Sequence, residues 1–188
     1  MSFDSNTDDN LCESLARGEE TAWYAFHQRY TERLIRYARS VVKNDEKALD
    51  VVQAVMLGLV RNRSRLGAVR DLEAYLFSAV RRDLWRALKQ ERKEKAILVP
   101  FDRERDADAD SLQISGSQSA TNSVDDRDFL TVALARLPNE QRTIIELRYY
   151  GALTFEKIGT ILDLPLGTVV SRFRSGLKQL RANLEDLA

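Results

Sequence analysis

The chain has 188 residues, with 29 Lys and Arg against 29 Asp and Glu and 44% hydrophobic residues. That suits one or two compact domains with real cores and excludes both a large multidomain enzyme and a wholly disordered chain. A single cysteine, Cys12, and a single histidine, His27, exclude an internal disulfide and leave no His/Cys set for a metal, so neither metal nor cofactor is expected.

The zero net charge conceals an alternation. Residues 1–10 sum to −3, residues 11–95 to +6, residues 96–130 to −5 and residues 131–188 to +2. Two basic blocks around an acidic one fit two modules that meet polyanions and a connector that does not. Residues 1–10 are acidic and polar without the apolar segment of a secretory signal. The longest uncharged apolar stretch, 51–60, is too short to span a bilayer. A cytoplasmic protein without membrane insertion is the expectation.

In chain order, the first helix is expected over about 19–42. There Trp23, Phe26, Tyr30, Leu34, Tyr37 and Val41 recur every three or four residues, one apolar stripe, and Arg29, Arg33, Arg36 and Arg39 lie off it. Asn44 or Asp45 caps a second helix. Its apolar residues Ala48, Val51, Val52, Val55, Met56, Leu57 and Leu59 cover more than one stripe, leaving a second face for another contact. Residues 61–70 form a basic, glycine-containing connection. Asp71 starts a third helix to about Lys95, with Leu72, Tyr75, Leu76, Ala79 and Leu84 inward, and Pro100 closes the block. Residues 102–123, rich in Asp, Ser, Ala and Gln, have the composition of a flexible acidic linker.

The last block opens near Asp125 with Leu130, Leu134 and Leu137 before Pro138. A helix from Asn139 to about Tyr150 buries Ile144, Ile145 and Leu147 and ends at Gly151, in keeping with a glycine C-cap. Thr154 caps a short helix through Phe155, Ile158 and Leu162. Asp163, Leu164 and Pro165 break it, and a final helix from about Gly167 to Leu184 turns Val169, Phe173, Leu177 and Leu180 inward. The expected fold class is all-α: two small helical domains, 11–97 and 125–188, joined by a flexible acidic linker, 98–124.

Three constellations stand out. A short helix, a tight turn and a longer helix with an apolar i, i+4, i+8 spine describe a helix-turn-helix. The second helix presents Thr168, Ser171, Arg172 and Ser175 away from the spine, flanked by Arg174, Lys178 and Arg181, and 168–181 contains no acidic residue. Short hydroxyls and an arginine there suit base edges and phosphates in a major groove. On the third helix Arg82, Arg86, Lys89 and Lys93 form a basic ridge, with Trp85 flanked by Arg81, Arg82 and Arg86. Such charge tracks a phosphate backbone, and an aromatic stacks on an unpaired base; taken alone, the segment reads first as a solvated face with Trp85 in the core. On the second helix Glu46, Asp50, Gln53 and Leu57 form a mixed face opposite Ala48, Val55 and Leu59, suited to docking on a partner's helices. The sequence holds no phosphate-cradling glycine loop, zinc-protease motif or nucleophile elbow, so no catalytic set is expected and the chain is not read as an enzyme.

Residues 22–38 with Tyr30, Leu34 and Tyr37, the stretch 48–56 with Asp50 and Gln53, and the stretch 74–92 stand in a telling order. So do Leu137, Pro138, Asn139, Glu140, Gln141 and Arg142, then Leu147, Arg148 and Tyr149, then Gly167, Thr168, Val169, Val170, Ser171 and Arg172. In that order and spacing the chain resembles a sigma factor of bacterial RNA polymerase, of the small extracytoplasmic function (ECF) type within the sigma-70 family. The resemblance covers about 11–184 apart from the linker.

The resemblance implies a factor that binds core RNA polymerase and promoter DNA and directs initiation. Asp50, Gln53 and Leu57, with Glu46 on the same face, fall where the family docks on polymerase. Residues 63–71 fall where the −10 element is opened; Arg82, Trp85, Arg86 and Lys89, with Arg81 beside them, fall near the −10 DNA. Thr168, Ser171, Arg172, Arg174 and Ser175 fall on the helix that reads the −35 element, and the acidic linker where the family threads a segment toward the RNA path. An anti-sigma factor covering these faces is common in the family. Val170 departs from a usual lysine, Ser175 and Gly176 from an Arg-Ala pair, Arg82 and Arg86 from frequent Asn and Asp, Lys157 from an acidic residue and Gly159 from alanine. The residues themselves also admit a stand-alone helix-turn-helix regulator that binds duplex DNA without polymerase, and an adaptor that has lost DNA binding.

Overall fold

The computed structural model describes residues 5–42, 44–98 and 126–187, and among them all regular structure is helical. The helices are α1 (Ser5–Arg17), α2 (Glu20–Val42), α3 (Asp45–Arg61), a 3₁₀ turn (Arg63–Ala68), α4 (Leu72–Leu98), α5 (Asp126–Ala135), α6 (Asn139–Tyr149), α7 (Phe155–Leu162) and α8 (Leu166–Glu185). Beyond Leu98, the linker expected over 98–124 and Pro100 lie outside the described residues.

Side-chain caps start the helices where the sequence offers them. Asn44 Oδ1 accepts from the Lys47 amide at 2.9 Å, Asp71 Oδ1 from that of Ala74 at 2.9 Å and Thr154 Oγ1 from that of Lys157 at 3.3 Å. Each satisfies an otherwise unpaired first-turn donor. Helix α2 is the axis of the N-terminal block: Phe26, Tyr30, Leu34 and Tyr37 are buried along the expected stripe. Helices α3 and α4 pack on it and on each other. Helix α1 had no counterpart in the sequence reading. It buries Cys12 and Leu15 and packs on the 3₁₀ turn, whose Leu66 is also buried. Two buried positions are too few to raise a periodic signal.

In the C-terminal block α6 packs on α8, α7 on α8 and α5 on α8. Ile144, Ile145 and Leu147 are buried as expected. Three inward assignments change. Tyr75 is 47% exposed, while Phe77 and Val80 are buried in its place. Helix α4 is covered on a second side by α7 of the other block, and Phe77 packs against Tyr37 of α2 and beside Gly151. Leu177 is 44% exposed because Gly176 is the position that meets α6. Trp85, first read as core, is 44% exposed.

Gly151 follows the end of α6 but does not take the left-handed conformation; Ala152 does, at φ 52°. Gly151 is needed for space instead. A Cβ there would lie 2.5 Å from the Leu147 carbonyl oxygen and 3.0 Å from Phe77 Cε1.

That contact belongs to an interface between the two blocks. The Arg33 guanidinium of α2 donates to the Gly151 carbonyl through Nε (3.0 Å) and Nη2 (2.6 Å), and its Nη1 pairs with Glu73 Oε1 at 2.6 Å. Lys157 Nζ of α7 lies 2.6 Å from Asp71 Oδ2. Tyr37 is fully enclosed, and burial first, then the negative charge of Glu146 from α6, pushes its hydroxyl well above the usual tyrosine range. One continuous cluster of buried residues therefore runs from α1 to α8.

Candidate polymerase and nucleic-acid interfaces

Helix α3 has two opposed faces. Ala48, Val52, Val55 and Leu59 are buried against the core. Glu46, Asp50, Gln53 and Leu57 are all exposed, as their spacing requires, and Leu57 at 56% exposure and Val60 at 47% give this side an apolar end. Asp45 and Glu46 sit in the first turn, where the helix dipole favours carboxylates. The result is an acidic-to-apolar surface on a rigid helix. Lys47 Nζ reaches Glu91 Oε2 of α4 at 2.9 Å, which ties the start of α3 to the far half of α4.

Helix α4 exposes Arg81, Arg82, Trp85, Arg86 and Lys89. Asp83 lies among them, 3.1 Å from Arg86 Nη1 and 3.8 Å from Arg82 Nε. Lys89 Nζ is 5.0 Å from the centroid of the Trp85 ring. Exposed pairs of this kind contribute little, about 0–1 kcal/mol, and are exchanged readily for phosphate contacts. The indole is thus accessible beside cationic groups, an arrangement chemically suited to stacking on an unpaired base and neutralising its backbone.

The turn between α7 and α8 is built tightly. Asp163 takes the left-handed conformation at φ 54°, and the Leu164 amide donates to the Gly159 carbonyl at 2.9 Å. A Cβ on Gly159 would stand 2.8 Å from the Leu164 carbonyl oxygen, so the glycine that departs from the family's alanine fits this close turn. Phe155 and Phe173 meet edge to face at 5.0 Å, and the Arg148 guanidinium lies over the Phe155 ring at 4.9 Å. These contacts hold α7 against α8. On α8, Ser171, Arg174 and Ser175 are exposed, while Thr168 and Arg172 are half-buried.

Two residues that the sequence reading did not place in a site stand beside them. Arg172 Nη2 contacts Glu140 Oε2 at 2.8 Å, and Gln141 Nε2 donates to Ser175 Oγ at 3.4 Å. Glu140 and Gln141 lie in the first turn of α6, more than thirty residues away, so no local spacing could have signalled them. The structure groups the expected residues on three separate surfaces, one each on α3, α4 and α8. Among the described residues no cluster of His, Cys, Asp and Glu could hold a metal ion, and no helix is long and apolar enough to cross a membrane.

Residues 26–94 match the family described as Sigma-70 region 2, and residues 133–182 match Sigma-70, region 4. Over 178 residues the chain is 30% identical to the RNA polymerase sigma-E factor of Streptomyces avermitilis, covering 92% of this chain and 90% of that protein. The chain belongs to the ECF sigma factors of the sigma-70 family. This ECF sigma factor is also 28% identical over 178 residues to the ECF RNA polymerase sigma factor SigK of Mycobacterium ulcerans, covering 93% and 92% of the two chains. Its fold is that of CnrH in complex with the cytosolic domain of CnrY, at TM-score 0.67 and 18% identity over 98% of this chain and 100% of that one. It is also that of the sigma factor RpoE of Bartonella quintana, solved with the anti-sigma factor NepR, at TM-score 0.61 and 22% identity over 86% and 97%. The faces on α3 and α4 lie inside the region 2 match of this sigma factor, and the face on α8 lies inside its region 4 match.

Proposed function

We propose that this ECF sigma factor divides promoter recognition among its three faces. Residues 11–97 form the module that docks on core RNA polymerase through Glu46, Asp50, Gln53 and Leu57. The same module meets the −10 element through Arg81, Arg82, Trp85, Arg86 and Lys89. Residues 125–188 form the module that reads the −35 element through Thr168, Ser171, Arg172, Arg174 and Ser175. Residues 98–124 connect them. Polymerase supplies the chemistry; this chain supplies affinity and position, acting in the cytoplasm where polymerase acts. An anti-sigma factor fits as a further partner, since both structural neighbours were solved with another protein bound.

The observation that carries the reading is the coexistence of an acidic-to-apolar docking face and two basic or hydroxyl-bearing helix faces on elements whose opposite sides build one core. A lone DNA-binding module has no use for the first. The test is capture of core RNA polymerase by the purified chain, with duplex DNA alone as a parallel bait. Polymerase is expected on the chain, with little duplex. Tight binding to duplex without polymerase would replace this reading with a stand-alone regulator.

A further inference from the structure

The first turn of α6 and the middle of α8 meet in one joint. A Cβ on Gly176 would lie 3.0 Å from Ile145 Cδ1 and 3.1 Å from Gln141 Cβ, so the bare glycine lets the two backbones close up. That approach sets Gln141 against Ser175 and Glu140 Oε2 at 2.8 Å from Arg172 Nη2. Glu140 lies in the first turn of α6, where the helix dipole stabilises a carboxylate. The acceptor is therefore anchored on a rigid element. The Arg172 side chain is 32% exposed, its partner 54%. A guanidinium carries five donors in a fixed plane, and a single contact through one terminal nitrogen leaves others free for a further acceptor.

We propose that Glu140 is a positioning residue for promoter reading. Its carboxylate holds the Arg172 guanidinium so that the free donors meet the O6 and N7 of one guanine in the −35 element. An arginine already held in place has less freedom to lose on binding, and bidentate pairing with guanine is how arginine selects a G·C pair. The proposal rests on the assignment of α8 to the −35 element. It predicts an effect confined to one base pair, which a purely structural ion pair would not produce.

The full chain with core RNA polymerase first selects templates, by run-off transcription, from a duplex library randomised across both promoter elements. The best template is then varied one base pair at a time. Arg172→Ala is expected to lose discrimination at one G·C pair by roughly 10- to 100-fold. Glu140→Ala is expected to lose about 3- to 10-fold at that same pair and to keep its preference elsewhere. The double variant is expected to match Arg172→Ala alone, because nothing is left to position. Glu140→Gln keeps an acceptor and recovers part of the discrimination; it carries the comparison if Glu140→Ala does not fold. Wild-type discrimination in Glu140→Ala, or an equal change at every position, overturns the inference and leaves the −35 assignment standing. A loss in the double variant beyond that of Arg172→Ala also overturns it, since Glu140 would then touch DNA itself. If the wild-type chain selects no template, the assignment fails and the inference with it.

Discussion

Gly151, Gly159 and Gly176 are defined by what stands opposite them. A Cβ at Gly151 would stand 2.5 Å from the Leu147 carbonyl oxygen, closer than real Cβ atoms come, and tightly against the Phe77 ring, so Gly151→Ala should destabilise the fold by about 1–3 kcal/mol through overpacking. Urea unfolding of the variant measures it, and an unchanged midpoint would mean the interface yields freely. Gly176 forgoes about 1 kcal/mol of helix propensity relative to alanine, a cost visible in the sequence. Its close approach to Gln141 and Ile145 is visible only once α6 and α8 are packed. Glycine content signalled these positions; the reasons differ at each.

Helix faces were the most legible part of the sequence. The α2 stripe and the buried side of α3 follow from three- and four-residue spacing, because a helix packed on one side imposes that period. The α3 docking face is the complement of that buried side. Asp50→Lys should therefore leave stability nearly unchanged, as surface substitutions do, while core polymerase binding weakens; a titration of labelled core polymerase checks it, read beside thermal unfolding. Periodicity failed on α4, where two sides are covered. Tyr75 and Trp85, read as inward, are exposed, and Phe77 is buried. Trp85→Ala is expected to cost less than about 1 kcal/mol of stability, against about 3–5 for a core tryptophan. It should weaken binding to a single-stranded −10 oligonucleotide in the holoenzyme by about 1–3 kcal/mol if the ring stacks on a base. Unfolding curves and fluorescence anisotropy separate the two effects.

In the arrangement seen here, the first helix of the helix-turn-helix, α7, rests on α4, the helix proposed to meet the −10 element. Under the proposed assignment the two promoter elements, about 25 base pairs apart on one duplex, stand roughly 85 Å apart at 3.4 Å per step, so joint engagement would require the two blocks to part. Beside the buried apolar cluster they share, polar contacts hold them: Arg33 with the Gly151 carbonyl, and Lys157 with Asp71. Lys157, a departure from the acidic residue common in the family, thus has a partner across the interface. Lys157→Glu places like charges together and should lower the melting temperature and enlarge the radius of gyration. The exchange Asp71→Lys with Lys157→Glu should restore the radius of gyration but only part of the melting temperature, because Asp71 also caps α4. Calorimetry and small-angle X-ray scattering read these changes, and a double variant no better than the single one would remove the ion pair from the account.

The helices from α2 to α8, most of their ends, the buried sides of α2, α3 and α6, the capping residues and the three candidate faces were legible before any coordinates, because each depends on neighbours within a few turns of one helix. Long-range packing decided the rest. Helix α1 exists because the 3₁₀ turn covers Cys12 and Leu15. Phe77 is inward because Tyr37 of α2 and the Gly151 turn cover it. Arg172 is held because Gly176 lets the first turn of α6 reach it. These facts join residues tens of positions apart, and a pairing at that separation leaves no periodic trace in a single sequence; it is set only when the chain closes on itself and excludes water from both partners at once.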